Sequence, residues 1–118
     1  MNLVKPEFEI IEQESGVQGL YKHIERCGRT CYKSLDKITP DSAKPFVDRM
    51  IKSSHLAMVE HATIYLHLTM ASRDQYFKYC TNKYSKANST GSAEHGTWEG
   101  FVTTNMRVLI ENGWMDDM

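Results

Sequence analysis

Between positions 17 and 31 apolar side chains recur every three or four residues. Val17, Leu20, Tyr21, Ile24, Cys27 and Cys31 form the stripe of an amphipathic helix facing a core. Gly28 weakens the last part of that helix. Thr39-Pro40-Asp41-Ser42 is a start signal for a second helix, whose apolar face reads Ala43, Phe46, Val47, Met50 and Ile51. Pro45 lacks an amide hydrogen and is tolerated only in a first turn, so Asp41 or Ser42 is the better N-cap. Past Ser53-Ser54-His55 the period changes to two: Ala62, Ile64, Leu66 and Leu68 alternate with Thr63, Tyr65, His67 and Thr69, the clearest strand in the chain.

The other segments carry weaker patterns. Leu3 to Gln13 alternates acidic and apolar residues through Glu7-Phe8-Glu9-Ile10 and has Pro6 near its start, which suits an edge strand. Ser72 followed by Gln75 resembles a capping box opening a third helix, with Tyr76, Phe77, Cys80 and Tyr84 on one face. Lys86 to Gly100 is rich in Ser, Gly, Asn and Thr and reads as a lid, an insertion or a disordered tip. Phe101-Val102-Thr103-Thr104 reads as a short strand. Asn105 can then cap a brief helix through Val108, Leu109 and Ile110 that stops at Asn112-Gly113. Together these elements predict an α+β fold, with helices packed on one side of a small mixed or antiparallel sheet.

With 118 residues there is room for one small domain with a real core. Apolar residues at 41% and charged residues at 25% match ordinary globular chains, and no run approaches the ~20 apolar residues of a membrane helix. Fourteen basic against fifteen acidic residues leave a net charge of −1, which excludes the strong positive field of a duplex-DNA binder and leaves small anions as ligands. Cys27, Cys31 and Cys80 cannot all pair within one chain and form no Cys-x-x-Cys motif. With no secretory leader pattern after Met1, reduced thiols and a cytoplasmic location are expected.

Candidate chemistry concentrates in His55-Leu56-Ala57-Met58-Val59-Glu60-His61, between a strong helix and a strong strand. Two imidazoles and a carboxylate there suit acid–base work, a metal, or hydrogen bonds to a cofactor, and residue type alone does not choose among these. The plainer reading is a helix-terminal His55 and a satisfied, half-buried His61. His61 and His67 cannot share one ion, because six strand residues span roughly 20 Å against ligand distances near 2 Å. Lys22, Arg26, Arg29 and Lys33 share a helical face and could hold a phosphate, although a solvated face looks the same. Tyr76, Phe77, Tyr79 and Tyr84 among lysines suggest single-stranded nucleic acid only superficially, since so small a core needs most of those rings.

Two segments together resemble the flavin-dependent thymidylate synthases. Gly28-Arg29-Thr30-Cys31-Tyr32-Lys33-Ser34 is similar to that family's small-Ala-Arg-Val/Thr-Ser/Cys-aromatic-x-Ser stretch. His55-x-Ala57-x-x-Glu60-His61, leading into an alternating strand, is similar to its His-x-Ser/Thr-x-x-Glu-His signature. The resemblance covers roughly residues 1–70. It implies a partial thymidylate synthase-complementing-protein-like fold in which residues 1–118 are the amino-terminal part. His55, Ala57, Glu60 and His61 would lie at FAD, and Arg29 at the substrate. Ala57 stands where the family has a hydroxyl, a loss of about 1 kcal/mol of hydrogen bonding. Asn105-Met106-Arg107 is similar to the family's later Asn-x-Arg segment, used toward flavin, and an insertion is the other reading of 101–112. No Arg-His-Arg occurs in the sequence, and Ala71-Ser72-Arg73 takes that position when Lys83 is aligned with the end of the motif.

The implied activity of the complete protein is methylation of dUMP to dTMP, with methylenetetrahydrofolate as carbon donor and NADPH-reduced FAD as hydride donor, in a homotetramer with shared sites. Without the phosphate clamp the chain alone is expected to be inactive. The alternatives are a non-catalytic flavin- or nucleotide-binding module and, from the histidines alone, a metal-dependent hydrolase. No catalytic residue is assigned.

Overall fold

The computed structural model describes residues 1–118. Helix α1 spans Gly16–Cys31 and α2 spans Ala43–Lys52; strand β1 is Thr63–Thr69, and α3 is Arg73–Cys80. Strands β2 (Lys86–Thr90) and β3 (Glu99–Asn105) form a hairpin, and α4 (Met106–Asn112) closes the order. The fold is α+β, with an antiparallel sheet in the order β1-β3-β2. Ile64 opposite Thr104 and Leu66 opposite Val102 face the helices, whereas Tyr65 opposite Thr103 and His67 opposite Phe101 face outward.

The core lies between this inner face and the helices. Ile24 of α1, Val47 of α2, Val59, Ala62, Tyr79 of α3, and Met106 and Leu109 of α4 are completely buried within it. Burying an aliphatic side chain of that size stabilises by about 1.5–3 kcal/mol. Gly28 leaves α1 helical and has a packing role. A Cβ there would stand 2.5 Å from Cζ of Phe46, so the glycine lets α1 and α2 approach closely.

Three helices end in the same way. The amides of Ser34, His55 and Trp114 close onto the carbonyls of Arg29, Met50 and Leu109, after Lys33, Ser54 and Gly113 take left-handed conformations. This is the Schellman arrangement, which satisfies carbonyls that the last helical turn leaves unpaired. Only the third uses glycine. The Ser54 turn redirects the chain from α2 into the segment that reaches β1.

Several expectations are corrected. Leu3 to Gln13 forms no strand: residues 1–14 have no regular structure and are exposed, because no neighbouring strand pairs with them. Lys86–Gly100 is no lid or disordered tip. It holds β2, a turn through Gly91 and Gly96, and the start of β3, with Trp98 buried against Tyr76. Tyr79 rather than Phe77, Cys80 or Tyr84 accompanies Tyr76 into the core. The capping box closes between Thr69 and Ser72, not Ser72 and Gln75, and opens a short 3-10 turn before α3. By contrast, Ser42 is the N-cap of α2, Asn105 caps α4, and Gly113 follows its last turn, in line with the sequence signals.

Candidate functional site

The β1–β3 pairing creates a corner. Thr63 opposes Asn105, and the Met106 amide donates to the Ala62 carbonyl at 3.0 Å, so the 3-10 turn Met58–His61 is held against the start of α4. Two segments far apart in sequence thereby meet. Arg107 Nη1 donates to Glu60 Oε1 at 2.5 Å across 47 residues, and its Nε donates to Glu111 Oε1 at 2.9 Å. These hydrogen bonds, to Glu111 first and then Glu60, raise the guanidinium's already high pKa further. Asn105 Oδ1 accepts the Val108 amide at 3.1 Å, which orients α4 and with it Arg107.

The third wall comes from beyond α3. Asn82 Oδ1 accepts from the Tyr84 amide at 2.9 Å and the Ser85 hydroxyl at 3.1 Å, and Ser85 Oγ lies 2.9 Å from Oγ1 of buried Thr104. This Asx turn ties Tyr84 to β3 and leaves its ring exposed, with Lys83 Nζ 4.9 Å from the ring centroid. Glu60, Tyr84, Asn105, Arg107, Val108 and Glu111 line an open cleft of about 230 Å³. Its chemistry is two carboxylates that can accept hydroxyl protons, one amide, a guanidinium already engaged by both carboxylates, and a ring face for stacking. That set fits a polyol or ring edge better than a bare phosphate.

The remaining candidates lie apart from this cleft. His55 is exposed, with Nδ1 3.5 Å from the Tyr32 hydroxyl; Ala57 is exposed and precedes the 3-10 turn. His61 is also exposed, near enough to His23 for its charge to help lower that imidazole's pKa, burial being the larger cause and Arg26 a lesser one. Arg29 is turned inward: Nε donates to Glu25 Oε1 at 2.7 Å, and the guanidinium carbon sits 4.9 Å from the Phe46 ring centroid. It leaves the basic row as a surface feature of Lys22, Arg26 and Lys33. His67 lies on the outer sheet face, stacked on Phe101 at 4.9 Å and 3.2 Å from Glu99. No group of three or more His, Cys, Asp or Glu side chains is gathered in metal-binding geometry, and the three cysteines are free.

Glu111 and Tyr84 complete the cleft, and neither reads from the sequence as part of the His55–His61 site. Glu111 is four residues beyond Arg107 on one helix, a pairing the spacing alone could have suggested. Tyr84 continues the helical spacing of Tyr76 and Phe77 and so reads as core, yet α3 ends at Cys80. No helix is long and apolar enough to cross a membrane. The chain matches no family model, no curated protein and no solved structure.

Proposed function

We propose that this chain is a flavin-binding module of the flavin-dependent thymidylate synthase type, which contributes the Glu60–Asn105–Arg107 corner to an FAD site. The observation that carries the reading is the meeting of Glu60 with Arg107 beside Asn105. Glu60 belongs to the His55–His61 segment and Asn105 and Arg107 to the later Asn-x-Arg segment, both similar to motifs the family uses toward flavin, and they converge although 47 residues separate Glu60 from Arg107. Glu60 and Glu111 suit the hydroxyls of the ribityl chain, Asn105 a polar ring edge, and Tyr84 a ring face. The cleft is smaller than the roughly 300–1,000 Å³ of a typical ligand pocket, as fits a site completed by neighbouring subunits in a homo-oligomer.

In a complete assembly such a module serves the conversion of dUMP to dTMP with methylenetetrahydrofolate and NADPH, the flavin supplying the hydride. Binding without turnover is the reading favoured for these 118 residues taken alone. Arg73, at the position aligned with the missing Arg-His-Arg, directs its guanidinium onto Phe77 and Trp98, with Nε buried and unpartnered, so it supplies no phosphate clamp.

Titration of the purified chain with FAD, followed by flavin fluorescence, tests the proposal. Saturable quenching, weakened at least tenfold in Glu60→Ala and in Asn105→Ala, is expected. Absence of saturation up to about 1 mM, equivalent to only ~4 kcal/mol of binding, overturns it.

A further inference from the structure

We propose that the amino-terminal arm, residues 3–11, adds as a strand to the free edge of β1 in a second copy of this chain, and that two copies exchange arms reciprocally. The sheet order β1-β3-β2 leaves the outer backbone edge of β1 unpaired. An open edge is a template for another strand, and strand addition supplies main-chain hydrogen bonds for affinity and pockets for specificity. The arm carries what such an edge needs. Val4, Pro6, Phe8 and Ile10 fall on one face of an extended chain, while Lys5, Glu7 and Glu9 fall on the other. In the single chain this pattern goes unused: Val4 is 87% exposed, Phe8 93% and Ile10 86%.

A seat exists beside the edge. An open groove of about 340 Å³ runs along β1, with Val17, Leu20, Ile64, Leu66 and Met118 supplying apolar walls. The arm's apolar face extends the core into that groove, and Glu7 and Glu9 then share the solvent side with His67 and Tyr65. Nine extended residues span roughly 30 Å, enough to run the length of β1.

The chain's own arm is directed elsewhere. The Glu14 carbonyl oxygen crosses α1 so closely at Gly19 that a Cβ there would lie 1.8 Å away, and Glu14 also pairs with Lys22 at 2.9 Å. Gln13–Gly16 still border the groove beside β1, but upstream of them Ile11 and Glu12 run alongside Lys22, His23 and Arg26 toward Ile38–Pro40, and residues 3–10 leave β1 uncovered. The occupant of the groove is therefore a partner's arm. Phe8 alone can remove about 150–250 Å² from water, and a stable interface buries roughly 1,200–2,000 Å², so both reciprocal seats are needed.

Pro6 fixes the parity of pairing. A residue without an amide hydrogen must face away from β1, so Pro6, Phe8 and Ile10 turn their backbones outward and Lys5, Glu7, Glu9 and Ile11 bond to the edge. Outward-facing Pro6 also discourages a further strand from adding.

Sedimentation equilibrium and residue-resolved amide exchange on the full chain test this. The chain should dimerise reversibly, with Glu7, Glu9 and Ile11 amides slowed at least tenfold in the dimer while those of Phe8 and Ile10 exchange freely. Phe8→Asp, in an exposed arm, should give a monomer with unchanged far-UV circular dichroism. Val17→Asp, in the groove, should do the same, and mixing the two variants should restore a weaker dimer through the one intact seat. A monomeric wild-type chain, a dimer that survives Phe8→Asp, or arm protection that dilution does not alter, as when the arm folds on its own chain, overturns the proposal. The dimer readout is repeated in Glu60→Ala, which should leave the association constant and arm protection unchanged, so that failure of the flavin corner and failure of this interface are distinguishable.

Discussion

Helix α1 and the β3–α4 corner each hold an arginine against a glutamate, in opposite ways. Arg29 and Glu25 are one helical turn apart and almost wholly enclosed, their side chains 9% and 2% exposed. Arg107 and Glu60 come from distant segments and remain open, at 37% and 50%. In the first pair two charges are withdrawn from water, so each depends on the other to offset desolvation and the pair fixes α1 against Phe46 of α2. In the second, solvent already screens the charges, so a ligand can exchange places with water at little loss. The arginine nearer the basic row is thus the structural one, and the arginine reached only through the fold sits at an open cleft, its guanidinium holding Glu60 and Glu111 in place.

The comparison breaks most sharply at Glu25. Replacing it with alanine leaves Arg29 charged and enclosed, and should destabilise the fold by about 3–5 kcal/mol in urea unfolding. FAD affinity per folded molecule should stay the same. A loss below about 1 kcal/mol would mean that Arg29 swings to solvent and that the two pairs are alike. Gly28→Ala probes the same region by steric means. The added methyl meets the Phe46 ring at 2.5 Å, and overpacking of this kind should destabilise by about 1–3 kcal/mol on the same measurement.

At the corner the expected balance reverses. Asn105→Ala removes the N-cap of α4 and should lower stability by about 1 kcal/mol while weakening FAD binding, since the cap orients the helix that carries Arg107. Arg107→Ala removes exposed ion pairs only, so its unfolding midpoint should match wild type while FAD affinity falls. If the midpoint falls as far as in Glu25→Ala, the corner is structural and the contrast between the two regions fails.

These unequal roles explain what the sequence could reveal. Periodicity reports burial, so α1, α2 and β1 were legible from Ile24, Phe46, Val47 and Ile64, and short-range chemistry identified the caps at Ser42, Asn105 and Gly113. Strand β2 was not, because only Ala87 of Lys86–Thr90 is even half-buried and the strand is held by backbone pairing with β3. The arm misled in the other direction, with the alternation of a strand but no partner in its own chain. In the site, residue type marked Glu60, Asn105 and Arg107, but only the β1–β3 register brings them together. Nothing in the spacing of Lys22, Arg26, Arg29 and Lys33 says which one turns inward. That depends on the small Gly28 beside it and on Phe46 across the helix interface.

The smallest effect expected is on pH dependence, and it belongs to α1 alone. Burial, assisted by His61 and Arg26, holds the His23 pKa below its usual value of about 6.5. The unfolded chain therefore binds a proton more readily than the folded one between the depressed pKa and 6.5. Stability from this source is fully present above about pH 6.5 and is lost as pH falls through that window. His23 is only partly buried, so the effect is small. Comparing urea midpoints at pH 7.5 and about 5.5 for wild type and His23→Gln isolates it, because the other four histidines and the carboxylates are common to both. The variant should lose less stability than wild type on acidification, and identical losses would show that His23 reaches solvent as freely in the folded chain as in the unfolded one.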